Sequence, residues 1–115
     1  MEVETAKEYK MEIVEQMCGG RGRVIIRHLP EQEARYNRCG LCAVIIEPGS
    51  SLGYHVHHGE SEMYYILQGT GLYEEPEGRR TVQAGAMTLT CNGQGHALEN
   101  VGNEDLVFMA LIIKD

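Results

Sequence analysis

Four side chains that could bind a metal ion fall in two short stretches of this sequence. The stretch "HVHHGESE" contains His55, His57 and Glu62, and the stretch "NGQGH" ends at His96. On a strand, residues two apart point to the same face with Cα atoms about 6–7 Å apart, whereas on a helix they diverge. We therefore expect His55 and His57 to share an ion on one strand, while His58 points away.

The carboxylate and the last histidine would complete this donor set. Glu62 follows a tight glycine-containing turn, which brings it back towards the histidine pair, and His96 opens a later strand. Three imidazoles and one carboxylate suit borderline divalent transition metals, such as Mn, Fe, Zn or Ni, better than Ca or Mg. Four protein ligands on a six-coordinate ion would leave two positions for water or substrate.

The segments that must position these residues are predicted to be β-strands. The apolar runs are short, rich in β-branched residues and separated by Gly, Pro and Asn. Strands are predicted at residues 23–29, 41–47, 62–68, 87–90 and 106–113, with a hairpin of strands 71–75 and 80–84. A helical turn is predicted at residues 29–35. Many short strands at such close spacing indicate an all-β sandwich or barrel.

Composition restricts the class of partner. The 115 residues are predicted to form a single domain, and the net charge of −7 argues against nucleic-acid binding. The longest apolar run, residues 106–113, is too short to span a membrane. Residues 1–17 lack the pattern of a signal peptide, so we expect a soluble, cytoplasmic protein.

The cysteines offer a second metal or redox motif. Cys39 and Cys42 have the spacing of zinc ribbons and redox pairs. A structural zinc site would need a second such pair, and a thioredoxin-type site would need a helix where a strand is predicted. The interpretation favoured here is two free thiols at the entrance of a strand.

The spacing of the candidate ligands resembles the two sequence motifs of the cupins. The first motif is matched at every position, by Gly49, His55, His57, Glu62 and Gly69. The second is matched by Gly85, Gly93, His96 and Asn100. Cys91 replaces the usual proline, and Ala86 stands where many cupins carry Asp.

This resemblance implies a fold and a set of roles. Cupins are double-stranded β-helices (jelly rolls) of two packed antiparallel sheets with a metal inside, and the implied ligands are His55, His57, Glu62 and His96. Asn100 is implied to fix the second-motif strand. We therefore predict one cupin domain over residues 1–115, with both motifs in residues 49–100 and residues 1–20 as an N-terminal arm or short helix.

The resemblance leaves the function open between an enzyme, a binding module and a metal-stabilised scaffold. An enzyme would act on a small oxygen-rich acid or sugar that chelates the metal, as a dioxygenase, isomerase, decarboxylase or lyase. Its catalytic candidates are Glu62 and Tyr64, because Tyr64 shares the inward parity of Glu62 on the predicted strand, as Gln68 does. The alternative is a metal-loaded module that binds or senses a small molecule without converting it. A homodimer is predicted, with residues 2–17 and 23–29 as candidate contacts.

Overall fold

The computed structural model describes residues 10–28 and 39–115, with only the backbone at residue 39. In these ranges the chain forms ten β-strands and one short 3-10 turn, Met17–Gly19. The strands are β1 (Lys10–Glu15), β2 (Arg23–His28), β3 (Cys39–Ile46), β4 (Ser51–Val56), β5 (Glu60–Gln68), β6 (Thr70–Glu75), β7 (Gly78–Gln83), β8 (Met87–Thr90), β9 (Gly95–Asn100) and β10 (Leu106–Lys114).

These strands form two antiparallel sheets packed face to face. The six-stranded sheet has the order β1-β2-β3-β10-β5-β8, and the four-stranded sheet has the order β4-β9-β6-β7. The chain passes from one sheet to the other between β3 and β4 and returns between β4 and β5. Residues far apart in sequence therefore become neighbours, as where β3 pairs with β10.

The core lies between the two sheets and is filled by alternate residues of each strand. The six-stranded sheet contributes Val24, Ile26, Val44, Ile46, Tyr64, Ile66, Leu106, Phe108 and Ala110. The four-stranded sheet contributes Leu52, Tyr73, Val82 and Leu98. Each fully buried large apolar side chain stabilises the fold by about 1.5–3 kcal/mol. Several buried polar residues, among them His57, Glu62, Thr90 and His96, lie inside the same barrel.

The predicted fold class, an all-β double-stranded β-helix, is confirmed. Strand β8 has its predicted bounds, and the other predicted strands begin and end within two residues of the observed ones. The predicted hairpin is β6 paired with β7, with its return strand beginning at Gly78. Gly78 has a φ of 144°, a backbone conformation that residues with a Cβ rarely adopt.

The N-terminal segment is only partly within the described residues. Residues 10–15 form β1, an edge strand paired with β2, so the alternative prediction of a short helix is wrong for this part. Met11 and Ile13 alternate with charged residues, and Ile13 pairs in register with Ile25, a pattern that favours a strand. Residues 1–9 and the helical turn predicted at 29–35 lie outside the described ranges. Nowhere in those ranges is there a helix with the length and hydrophobicity to cross a membrane.

Candidate metal centre

The four predicted ligands meet at one point inside the barrel. His55 lies near the end of β4, His57 one residue beyond that end, Glu62 near the start of β5 and His96 near the start of β9. His57, Glu62 and His96 are buried, and His55 is partly buried. The donor atoms all lie within 4.8 Å of one another. Both sheets therefore contribute to a three-histidine, one-glutamate cluster able to hold a metal ion.

The individual distances show how closely the donor atoms converge. His96 Nε2 lies 3.0 Å from His57 Nε2 and 3.1 Å from His55 Nε2. Glu62 Oε1 lies 2.9 Å from His57 Nε2 and 3.1 Å from His96 Nε2. The imidazole Nε2 atoms and one carboxylate oxygen thus point to a common centre.

Backbone pairing between the two motifs sets this geometry. His55 and His96 are directly opposite each other where β4 pairs with β9. Beyond the end of β4, the His57 N–H donates to the Gln94 carbonyl, and the Gly93 N–H donates to the His57 carbonyl. The Asn92 side chain accepts from the Gly59 N–H at 2.7 Å. The two glycine-containing turns are therefore joined to each other, which fixes His57 relative to His96.

Each imidazole is also held at its second nitrogen. His55 Nδ1 donates to the Gly53 carbonyl at 2.8 Å, and His57 Nδ1 donates to the Glu60 carboxylate at 2.8 Å. His96 Nδ1 lies 2.8 Å from Thr90 Oγ1 and 3.0 Å from the Tyr73 hydroxyl, both of which can accept. Such outer partners are what orient histidines that bind metals.

The protonation of the three imidazoles explains why this donor set fits a metal ion. With the three Nδ1 atoms protonated, each Nε2 presents an unshared electron pair to the same centre, beside the Glu62 carboxylate. Hydrogen bonds cannot join these nitrogens to each other, since none of them carries a proton. Burial lowers the pKa of His55, which favours the neutral form that binds metals. The mixed nitrogen and oxygen donors suit a divalent transition metal.

Tyr64 also lies at this centre, as its strand parity predicts. It is buried, its hydroxyl is 3.3 Å from His96 Nε2, and its ring stacks on the His96 ring with centroids 4.8 Å apart. Burial, followed by the nearby Glu62 carboxylate, raises the pKa of Tyr64 well above its ordinary value. The phenol therefore keeps its proton at neutral pH.

Other residues singled out in the sequence lie away from the centre. His58 is exposed, as expected, and His28 lies 3.0 Å from Glu12 on the opposite sheet edge. The expectation that Gln68 faces the cavity is wrong. A β-bulge opposite Val107 changes the register, so Gln68 is exposed and donates to the Asp105 carbonyl. Cys91 is an exposed free thiol.

Two further sequence predictions concern the thiols and Asn100. Cys42 is a free thiol on β3, and burial raises its pKa to about 11.

The Asn100 amide donates to the carbonyls of Ile46 and Glu104, both at 2.8 Å. Asn100 is buried, and its two bonds join β9 to β3 and to the segment before β10, in agreement with the expectation that it fixes the second-motif strand.

Sequence reasoning missed the residues that hold the outer nitrogens. Thr90 and Tyr73 lie on β8 and β6 with their side chains inward, 2.7 Å apart. Strand parity could have identified both as inward-facing, but their contact with His96 depends on how the sheets pack. Glu60 carried a signal in the sequence, because it lies three residues after His57 within the same turn.

Comparison with known proteins agrees with this geometry. Residues 43–112 match the sequence family described as "Cupin domain". The chain is 41% identical over 109 residues to a Thermotoga maritima protein named "Oxalate-binding protein", covering 94% of this chain and 90% of the relative.

Solved structures extend the likeness. A crystal structure described as a predicted oxalate decarboxylase from Thermotoga maritima superposes with a TM-score of 0.92 at 38% identity, covering 99% of this chain and 100% of the other. KdgF from Halomonas sp. shares the fold, with a TM-score of 0.78 at 14% identity over 96% of this chain and 91% of the other. The family match includes all four converging side chains, and the nearer relatives extend it to nearly the full length. This chain therefore belongs to the cupin family.

Proposed function

We propose that this chain binds a divalent transition metal through His55, His57, Glu62 and His96, and with it a small dicarboxylate of the oxalate type. The observation that carries the proposal is the convergence of three Nε2 atoms and one carboxylate oxygen inside the barrel. The ion would supply the positive charge that two adjacent ligand carboxylates require.

The charges of the chain support a role for a cation. The net charge is −7, and the buried polar and charged residues of the described part of the chain include no Lys or Arg. Arg21 and Arg23, on either side of the turn that leads into β2, are paired with Glu99 and Glu47. A dianion inside this barrel would therefore find no buried Lys or Arg among the described residues to neutralise it. A bound metal ion meets that need.

The relatives support the ligand class. The protein that is 41% identical is named for oxalate binding, and the crystal structure at 38% identity is described as a predicted oxalate decarboxylase. Oxalate is a small, oxygen-rich acid, which is the class of ligand that the resemblance to the cupins implies.

Calorimetric titration of the Mn(II)-loaded protein with oxalate tests this function. We expect saturable binding that disappears in the metal-free protein and in the variant His57→Ala. Malonate, whose two carboxylates are farther apart, and acetate, which has a single carboxylate, serve as comparison ligands. Mn(II)-loaded protein that gives no heat with oxalate would contradict the proposed function.

An enzyme acting on the same ligand is the second candidate, and the position of Tyr64 favours it. Decarboxylation of oxalate breaks the C–C bond, releases CO2 and leaves a carbon that takes up a proton to give formate. The Tyr64 hydroxyl lies at the centre and holds its proton at neutral pH, so it is the proposed proton donor, with Glu62 as its neighbour.

Formate detection separates the two candidates. The loaded protein is incubated with excess oxalate in air, and formate is measured by NMR. Unchanged oxalate after many hours, together with saturable binding, supports the binding protein. Formate produced by the parent protein and reduced in Tyr64→Phe supports the enzyme.

A further inference from the structure

The sequence contains a single Asn-Gly pair, Asn92–Gly93, in the turn that leads into β9. The Gln94 N–H donates to the Cys91 carbonyl at 3.0 Å and closes this turn. Gly93 has a φ of 84°, which glycine adopts without steric cost, and Asn92 is exposed. An asparagine followed by glycine is chemically labile, because no side chain on the glycine hinders attack by its backbone nitrogen on the asparagine amide.

The reaction open to this pair is deamidation. The Gly93 nitrogen loses its proton and bonds to Asn92 Cγ, the bond from Cγ to the side-chain nitrogen breaks, and ammonia leaves. Water then opens the resulting succinimide ring at either of its two carbonyls. One route gives aspartate, and the other gives isoaspartate, in which the backbone passes through the former side chain. One water is consumed for each ammonia released, and no oxidant or other reactant is needed.

The folded chain holds both reacting groups away from each other. The Gly93 N–H donates to the His57 carbonyl at 2.7 Å, so the proton that must leave is engaged in a hydrogen bond. The Asn92 Oδ1 accepts from the Gly59 N–H at 2.7 Å, which directs the side-chain amide at the turn between β4 and β5. Both bonds run from one glycine-containing turn to the other. Attack on Asn92 Cγ therefore requires the two turns to separate.

We propose that Asn92 is a deamidation site protected by the contact between these two turns, and that its conversion to isoaspartate disrupts the metal centre. The second part rests on the proposed metal binding. Isoaspartate lengthens the backbone by one C–C bond, about 1.5 Å, at a point between Thr90 and His96. Thr90 Oγ1 lies 2.8 Å from His96 Nδ1, and the turn between them is bonded to His57. A displacement of this size exceeds the roughly 0.2 Å that metal–ligand distances tolerate.

The proposed metal and the modification should oppose each other. His57 and His96 follow or flank the two turns, so an ion bound to both would keep the turns together and make their opening rarer. Loss of the ion would expose Asn92 to reaction, and the isoaspartyl product would no longer bring the two histidines together. The modification would thus turn a reversible loss of metal into a permanent one.

Rates of deamidation in three states of the protein test the protection. The Mn(II)-loaded protein, the EDTA-treated protein and the protein unfolded in urea are incubated side by side at mildly alkaline pH. Intact mass gives the extent of deamidation, and electron-transfer fragmentation of the peptide separates isoaspartate from aspartate. The loaded protein should react at least about 10-fold more slowly than the unfolded protein, with the metal-free protein between them. Asn103, exposed and followed by Glu104, is the internal control and should stay unmodified in all three states.

Variants separate the charge from the change of backbone. Asn92→Ser has no amide to lose, so its mass and its metal affinity should stay constant throughout the incubation. Asn92→Asp carries the charge of one product without the longer backbone. The purified isoaspartyl protein should bind Mn(II) at least about 10-fold more weakly than Asn92→Asp, and it should melt at a lower temperature.

Two results would overturn the proposal. Equal rates in folded and unfolded protein would show that the contact between the turns does not protect Asn92. An isoaspartyl protein with the metal affinity and melting temperature of Asn92→Asp would show that the longer backbone leaves the centre intact. Failure of metal binding in the parent protein would contradict the proposed function instead, and the rates in folded and unfolded protein, with the melting temperature of the product, would still decide whether this site is protected.

Discussion

At the scale of single residues, the three imidazoles of the centre differ in what holds their outer nitrogens. A backbone carbonyl holds His55, a carboxylate holds His57, and two hydroxyls hold His96. A carboxylate makes the imidazole attached to it more basic than a carbonyl or hydroxyl does. The ligands should therefore contribute unequally to metal affinity, and each can be tested by a single substitution.

Removal of one proposed ligand should abolish most metal binding. His57→Ala should weaken the affinity for Mn(II) or Zn(II) by more than about 100-fold, which is more than the loss typical of an outer partner. Titration calorimetry and elemental analysis measure this loss. His58→Ala, at the exposed neighbouring residue, is the matched control and should retain one equivalent of metal. One equivalent of metal retained by His57→Ala would contradict the ligand assignment.

Glu60 should matter to metal binding although it is not among the proposed ligands. Glu60→Gln keeps the shape of the side chain but removes the charge that supports His57, so the metal affinity should fall by about 10–100-fold. Glu77→Gln, in the exposed turn between β6 and β7, should leave the affinity unchanged. Equal affinities for the two variants would show that the Glu60 contact does not influence the centre.

The thiol of Cys42 should react slowly at ordinary pH. Burial raises its pKa from 9.0 to about 11, so at pH 8 roughly 0.1% is thiolate, compared with about 10% for an unshifted thiol. Because the folded pKa is the higher one, the associated stability is fully present below pH 9 and is lost as the pH rises towards 11. Mass spectrometry of alkylated peptides should show the exposed Cys91 labelled well before Cys42. If Cys42 and Cys91 were alkylated at equal rates in the folded protein, as they are in urea, burial would have no effect on the reactivity of Cys42.

At the scale of elements, alternation along the chain predicted most strands and the inward direction of Tyr64. The candidate ligands followed from the spacing of the histidines and the glutamate, and Asn100 followed from the resemblance to the cupin motifs. Sequence alone could not predict that β3 pairs with β10, because that register depends on contacts between residues more than fifty positions apart. For the same reason Thr90 and Tyr73 escaped notice, and the bulge near Gln68 reversed an expectation based on parity.

The contact between the 3-10 turn and β4 should be sensitive to a single methyl group. A Cβ on Gly53 would overlap the backbone carbonyl of Cys18, and the Gly53 carbonyl itself holds His55. Gly53→Ala should therefore lower stability by about 1–3 kcal/mol, as overpacking does, and weaken metal binding. Gly40→Ala, where a Cβ meets no atom of the described residues within 4 Å, is the control. Urea unfolding and metal titration measure both effects, and identical behaviour of the two variants would contradict the close contact.

At the scale of the whole molecule, the proposed metal would connect the two sheets. The three histidines among the proposed ligands lie on the four-stranded sheet and on the segment after β4, whereas Glu62 lies on the six-stranded sheet. An ion bound only by the folded barrel must stabilise that barrel against unfolding.

Metal removal should therefore lower the melting temperature. At a free metal concentration about 100-fold above Kd, binding contributes about 2.7 kcal/mol, which corresponds to a shift of roughly 10 °C for a chain of this size. Calorimetric scans with Zn(II) and with EDTA measure the shift. The variant His57→Ala should melt at the same temperature under both conditions. An unchanged melting temperature of the parent protein on chelation would contradict a metal that connects the sheets.

Strand β5 has a consequence for how this sequence can change. Glu62 and Tyr64 face the interior, whereas Met63 and Tyr65 face the opposite side. Deleting one residue between Gly59 and Glu62 would exchange the two sets, placing a methionine beside the histidines and a glutamate on the opposite side of the sheet. Such a shift in register would remove the proposed metal ligand and reverse the facing of every side chain on β5 in one step. Strand β5 should therefore tolerate substitutions at single positions, but not the insertion or deletion of one residue.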